Sequence, residues 1–119
     1  MFDKAAEKFK KAISYQSNEK SMVPIYTDLG TTYYRLGKNN LAKDAYQDAL
    51  KIEPNFIRAH FGLGQVYFRQ NLQHEAIEEL LTVIRIAPDS KEAKEAKEII
   101  HKLIPEEREK EGENKDQEK

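Results

Sequence analysis

The sequence predicts an all-α fold in which antiparallel helix pairs stack side by side. Apolar residues recur every three or four positions through most of the chain, which is the spacing of an amphipathic helix. The same pattern returns after 34 residues, which is typical of a helical repeat. Only 5 glycines and 4 prolines occur in 119 residues, so a loop-rich or all-β chain is disfavoured.

The 34-residue shift aligns side chains of every class. Leu29 aligns with Leu63 and Gly30 with Gly64, and further pairs are Tyr33 with Tyr67, Arg35 with Arg69, Ala42 with Ala76 and Pro54 with Pro88. Gly37 aligns with Asn71, and these two residue types best tolerate the left-handed conformation that ends a helix. The pattern therefore predicts two copies of one helix–turn–helix unit.

Each unit contains two apolar stripes separated by a turn. The first stripe of unit 1 consists of Tyr26, Leu29, Tyr33 and Leu36, and its second runs from Leu41 to Ile52. Pro54 ends the second helix, because the residue before a proline avoids helical angles. We expect Gly30 and Gly64 to permit close approach of the paired helix, with Ala42 and Ala76 opposite.

These residues resemble the tetratricopeptide repeat. Residues 26–54 read Y-x2-L-G-x2-Y…A-x3-Y…A…P, and residues 60–88 read H-x2-L-G-x2-Y…A-x3-L…V…P. Tyr26 and His60 stand where the family often has tryptophan. The resemblance implies a right-handed superhelix of about six helices and a protein-interaction role.

The predicted tetratricopeptide domain covers residues 1–104. Residues 1–17 form a partial repeat, 23–56 and 57–90 form the full repeats, and 90–104 form a cap helix whose outer face is polar. Asp89 and Glu92 have the spacing of a capping box at the start of that helix. Residues 105–119 carry 7 acidic and 4 basic side chains and too few apolar ones to fold, so we expect a disordered tail.

The candidate binding site is the face of each first helix that points away from its partner helix. By resemblance, this face lines a concave groove that holds a partner peptide or helix. Its residues are Thr27, Thr31, Tyr34, Arg35, Arg58, Phe61, Gln65, Phe68 and Arg69. Aromatic side chains and arginines are enriched at protein interfaces. A structural alternative is that Phe61 and Phe68 pack against the next unit or the cap helix.

Some tetratricopeptide domains hold the acidic C-terminal tail of a heat-shock chaperone in a clamp of lysines, asparagines and an arginine. Only Arg58 stands at a basic clamp position in this chain. Asp28 and Gly62 occupy positions where amide or cationic side chains are needed, and Thr27 and Thr31 replace a lysine and an asparagine. The clamp is therefore absent as such, and a weaker preference for an acidic or C-terminal segment is the remaining hypothesis.

An alternative function is assembly. The partial repeat at residues 1–17 has an apolar surface, which includes Phe2, Phe9 and Ile13, and only one side of it can pack on the next unit. The other side could form a homo-oligomer or dock on a larger repeat array.

Several functional classes are disfavoured. A net charge of −1 lacks the basic excess of a nucleic-acid binder, and no apolar run is long enough to span a membrane. The chain has no cysteine, no secretory signal pattern, no phosphate-binding loop and no metal-ligand spacing among His60, His74 and His101. We therefore expect a cytoplasmic protein with no catalytic residues, no metal site and no cofactor.

Overall fold

The structure is a computed structural model that describes residues 19–104. Five helices make up this range: α1 (Glu19–Arg35), α2 (Asn39–Ile52), α3 (Ile57–Arg69), α4 (Gln73–Ile86) and α5 (Lys91–Leu103). Helices α1 and α2 form unit 1, α3 and α4 form unit 2, and α5 packs on unit 2. The all-α repeat architecture is confirmed. The predicted helix at residues 1–17, with Phe2, Phe9 and Ile13, and the predicted tail at 105–119 lie outside the described residues.

The turn inside each unit follows from one residue with a positive φ. Gly37 has φ 77° and Asn71 has φ 62°. The amide of Lys38 donates to the carbonyl of Tyr33 at 2.9 Å, and Leu72 donates to Tyr67 at the same distance. These bonds, with those from Gly37 to Tyr34 and from Asn71 to Phe68, form a Schellman motif at each helix end. The short turn makes the two helices of each unit antiparallel.

The glycines at positions 30 and 64 face larger side chains than expected. A Cβ atom on Gly30 would lie 2.7 Å from Cε1 of Tyr46, and one on Gly64 would lie 2.7 Å from Cδ2 of Leu80. The predicted close approach is correct, and the carbonyl oxygen of Ala76 lies 3.7 Å from the Cβ position on Gly64. The nearest atoms belong to the side chains of Tyr46 and Leu80, and those nearest to Gly30 do not include Ala42. These two side chains then bury almost all of their surface.

Two apolar clusters hold the stack together. The first crosses from unit 1 to α3 and includes Tyr46, Ala49, Ala59, Leu63 and Val66 among its buried members. The second joins unit 2 to α5 through Leu80, Ala96 and Ile100, with Phe61 and Ile84 packed against it. The first helix of each unit and α5 thus lie parallel along one side of the stack.

The cap of α5 differs from the predicted capping box. The N-cap residue is Ser90, whose Oγ accepts a hydrogen bond from the amide of Ala93 at 3.0 Å. The prediction of Asp89 as the cap was wrong by one residue, because serine at position 90 already satisfies the free amide in the first turn.

Candidate functional site: a groove along the first helices

A cavity of about 360 Å³ lies where α1, α3 and α5 meet. We call it the groove. It is lined by Thr27, Thr31, Arg35, Tyr46, Arg58, Phe61, Gly62, Gln65, Lys91, Glu92 and Glu95. Six of the nine residues predicted from the sequence line it: Thr27, Thr31, Arg35, Arg58, Phe61 and Gln65. The structure brings these six side chains to one surface that crosses both units.

The other three predicted residues do not line the groove. The guanidinium of Arg69 lies over the ring of Tyr34, 3.4 Å from its centroid. The same guanidinium donates to the carbonyl of Tyr34 and, at 3.3 Å, to Oδ1 of Asn39. Arg69 therefore connects unit 2 to unit 1. Phe68 is 39% exposed beside it.

The floor of the groove is Tyr46, which the sequence analysis placed only in a helix stripe. Its ring fits between two backbone segments, because a Cβ atom on either Gly30 or Gly62 would come closer than 3.0 Å to it. Its hydroxyl pairs with Oγ1 of Thr31 at 3.0 Å. Burial raises the pKa of Tyr46, so the phenol stays protonated and keeps its hydrogen bond with Thr31.

The two threonines of α1 present different chemistry to the groove. Thr27 is 1% exposed, and its hydroxyl donates to the carbonyl of Val23 at 2.8 Å. Thr31 is half-buried, and its hydroxyl contacts both Tyr46 and, at 3.1 Å, the carbonyl of Thr27. The polar part of the floor is therefore the pair formed by Thr31 and Tyr46.

The cations of α1 and α3 differ in their partners. Nη2 of Arg58 lies 3.4 Å from Oδ1 of Asp28, with both side chains about half exposed. Its guanidinium also lies 6.0 Å from the ring centroid of Phe56. Arg35 is exposed and makes no ion pair with the described residues. Arg58, which stands at the basic position of a carboxylate clamp, is thus paired with Asp28 within the protein.

Helix α5 contributes a wall that the sequence analysis did not assign to the site. Lys91, Glu92 and Glu95 line this side of the groove. The signal was present, because the 34-residue shift carries Arg58 to Glu92 and Phe61 to Glu95. The cap helix therefore occupies the place of a third first helix and closes the groove with two carboxylates.

Phe61 has a structural role as well as a place in the groove. It is half-buried and packs against the cluster of Leu80, Ala96 and Ile100. The alternative that Phe61 packs against the cap helix thus holds for part of its surface.

Within residues 19–104, no group of three or more histidine, aspartate or glutamate side chains is placed to hold a metal ion. His74 contacts only Glu78 among the described acids, at 3.8 Å, and both are largely exposed. No helix in the same range is both long enough and apolar enough to cross a membrane.

Parallel first helices with a groove between them define this chain as a helical-repeat protein of the interaction-scaffold class. Models of the TPR repeat and the tetratricopeptide repeat match residues 25–71 and 57–90, which together cover both units. The chain belongs to the tetratricopeptide repeat family. Membership supports a protein-interaction role.

Relatives share the repeat at low sequence identity. The chain is 30% identical over 105 residues to the uncharacterized protein ycf37 of Cyanophora paradoxa, covering 87% of this chain and 61% of that protein. The structure of the Hsp90 co-chaperone Cns1 from Saccharomyces cerevisiae matches with a TM-score of 0.80 and 20% identity, over 98% of this chain and 38% of that one.

A third match is the first TPR of Spaghetti (RPAP3) bound to the HSP90 peptide SRMEEVD. Its TM-score is 0.72 at 21% identity, over 86% of this chain and 79% of that one. At identities this low, the two structural matches show a shared fold. The chain spans less than two thirds of the length of each curated relative it matches.

Proposed function

We propose that this protein is an interaction module that holds a peptide or helical segment of a partner protein in the groove. The observation that carries the proposal is the groove itself, which joins side chains from α1, α3 and α5 around a floor of Tyr46 and Thr31. Aromatic surface, hydroxyls, an amide and charges that form no ion pair with the described residues together offer what a peptide backbone and its side chains need.

The match to a domain bound to an HSP90 peptide supports a peptide as the ligand class. It does not extend to the same peptide, because Arg58 is paired with Asp28 and Gly62 provides no side chain. The groove residues that we propose for contact are therefore Thr31, Arg35, Phe61 and Gln65, with Arg58 as a secondary contact. Tyr34, Phe68 and Arg69 form a separate edge, where binding stays a prediction.

The test compares two double variants with the same residue types. Arg35→Ala/Gln65→Ala removes an exposed last-turn arginine and a glutamine from the groove. Arg85→Ala/Gln73→Ala removes an exposed last-turn arginine and a glutamine from α4, outside the groove. Partners captured by the wild-type protein from source cells are identified, and the affinity of each variant for them is measured by calorimetry.

We expect the groove variant to bind at least about tenfold more weakly, a loss of about 1.4 kcal/mol. The α4 variant should bind as the wild type does, and both variants should keep the wild-type melting temperature. Equal binding by the two variants would show that partners use another surface.

The alternative function, self-association or docking through Phe2, Phe9 and Ile13, depends on residues outside the described range and stays a prediction. The cytoplasmic location also stays a prediction. Light scattering of the wild type and of Phe2→Glu across a concentration series tests self-association, and a monomer at high concentration would exclude it.

A further inference from the structure

The groove carries charges of both signs on opposite walls. Arg35 and Arg58 lie on the wall formed by α1 and α3, while Glu92 and Glu95 lie on the wall formed by α5. Lys91 stands beside Glu92 and leaves the α5 wall with one net negative charge. Counting Asp28, which pairs with Arg58, three cations and three anions surround the cavity.

The charges that form no ion pair with the described residues leave the two walls with opposite net charge. Arg35 on the first wall, and Lys91, Glu92 and Glu95 on the α5 wall, form no such pair, whereas Arg58 is matched by Asp28 at 3.4 Å. Arg35 and Glu95 are exposed and Glu92 is half-buried, so a ligand can reach all three. A uniformly acidic segment would meet the two glutamates, and a uniformly basic one would meet Arg35. Either would lose affinity through like-charge contact.

Resting on the proposed function, we infer that the partner segment is bipolar: a lysine or arginine faces Glu92 and Glu95, and a carboxylate faces Arg35. The three parallel helices set the spacing. Two successive 34-residue shifts align Thr27 of α1 with Glu95 of α5, and Thr27 is eight residues before Arg35. Eight helical residues rise about 12 Å. An extended segment covers this rise in about four residues, so its opposite charges should lie at least that far apart.

The experiment selects partners without assuming their sequence. A display library of random 12-residue peptides is panned against the full-length wild type, Glu92→Lys/Glu95→Lys, Arg35→Glu and the control Glu98→Lys. Glu98 is an exposed residue of α5 that does not line the groove. The wild type and the control should both enrich peptides that combine a basic residue with an acidic residue at least four positions away.

Each charge reversal should change one half of that preference. The double glutamate variant should lose the basic enrichment and keep the acidic one, and Arg35→Glu should do the reverse. A peptide selected on the wild type should bind the double glutamate variant about tenfold more weakly. Changing the basic residue of the peptide to glutamate should restore binding to that variant.

Two failures are distinguishable. Selected peptides that need Arg35 and Gln65 but show only acidic or only basic enrichment would overturn the bipolar ligand and leave the groove as the binding site. Peptides that bind Arg35→Ala/Gln65→Ala as tightly as the wild type, or a library that enriches nothing, would overturn the groove and the bipolar ligand together.

Discussion

The junction between unit 1 and unit 2 combines an apolar core with polar contacts, whereas the junction between unit 2 and α5 is apolar. The first junction contains the Arg58–Asp28 pair, the stacking of Arg69 on Tyr34, and the bond from Gln70 to Asn40 at 3.4 Å. At the second junction the structure shows no side-chain hydrogen bond or ion pair between the described residues of α5 and those of unit 2. Its core is Leu80 with Ala96 and Ile100.

Equivalent positions of the repeat show where this difference comes from. Tyr46 and Leu80 are 34 residues apart and each lies under a glycine of its own unit. Tyr46 ends in a hydroxyl that forms a hydrogen bond with Thr31 in the groove, while Leu80 is fully buried. The same repeat position thus forms the floor of the groove in unit 1 and packs against α5 in unit 2. We expect the second junction to depend on buried area and the first to respond to pH and salt as well.

The largest effect is expected at the second junction. Leu80→Ala should lower the free energy of unfolding by about 3 kcal/mol, because Leu80 is fully buried and its loss leaves a cavity between α4 and α5. Chemical denaturation measures the total loss, and amide hydrogen exchange should show reduced protection in α5 before the other helices.

The neighbouring Leu81→Ala is the matched control. Leu81 is 51% exposed on the same helix, so its truncation should cost less than about 1 kcal/mol. Similar losses for the two variants would mean that Leu80 does not anchor the cap.

The repeat residues and the turns could be predicted from the sequence because their information is local or periodic. Gly37 and Asn71 encode their turns directly, since both tolerate positive φ. The alignment of Leu29 with Leu63 gives the first-helix faces and hence most of the groove. The wall formed by α5 could have been predicted in the same way, because the same shift carries Arg58 to Glu92 and Phe61 to Glu95.

Other features depend on which side chain occupies the preceding unit. Position 62 is glycine because the ring of Tyr46 fills the space where its side chain would be, while the aligned position 96 holds alanine against the smaller Leu80. The stacking of Arg69 on Tyr34 likewise depends on the rotation between units. The 34-residue pattern therefore does not predict which side chains meet between the units or the geometry of their contacts.

An intermediate effect is expected from His60, which joins the loop after unit 1 to α4. Its Nδ1 lies 2.9 Å from Oε2 of Glu79, and its Nε2 lies 2.7 Å from the carbonyl oxygen of Pro54. A carbonyl and a carboxylate only accept, so both contacts are hydrogen bonds when both ring nitrogens carry a proton and the ring is charged. The hydrogen bond to Glu79 is the main reason that the pKa of His60 is raised.

The sign of the pH dependence follows from that shift. A pKa that is higher in the folded state than in the unfolded chain adds stability below the unfolded value of 6.5. This contribution disappears as the pH rises through the folded pKa. Relative to His60→Gln, the wild type should therefore be more stable at pH 6 than at pH 9 by about 1 kcal/mol, in keeping with a charged hydrogen bond.

The comparison for this experiment is His74→Gln, because the side chain of His74 is 87% exposed. Denaturation at the two pH values should give the same difference from wild type for that variant. If His60→Gln also showed no change with pH, the protonated clamp would be excluded.

The smallest effect is expected from the Arg58–Asp28 pair. A double-mutant cycle with Arg58→Ala and Asp28→Ala should give a coupling energy of about 0.5 kcal/mol, because both side chains are half exposed and water screens their attraction. Raising the salt concentration to about 1 M should reduce this value further. A coupling above about 1.5 kcal/mol that persisted in salt would mean that the pair, rather than the apolar cluster, holds the units together. A small coupling would mean that the pair adds little to stability and that its main effect is in the groove, where Asp28 limits the charge that Arg58 offers to a ligand. Asp28→Asn should then raise the affinity for acidic peptides and change the free energy of unfolding by no more than about 0.5 kcal/mol.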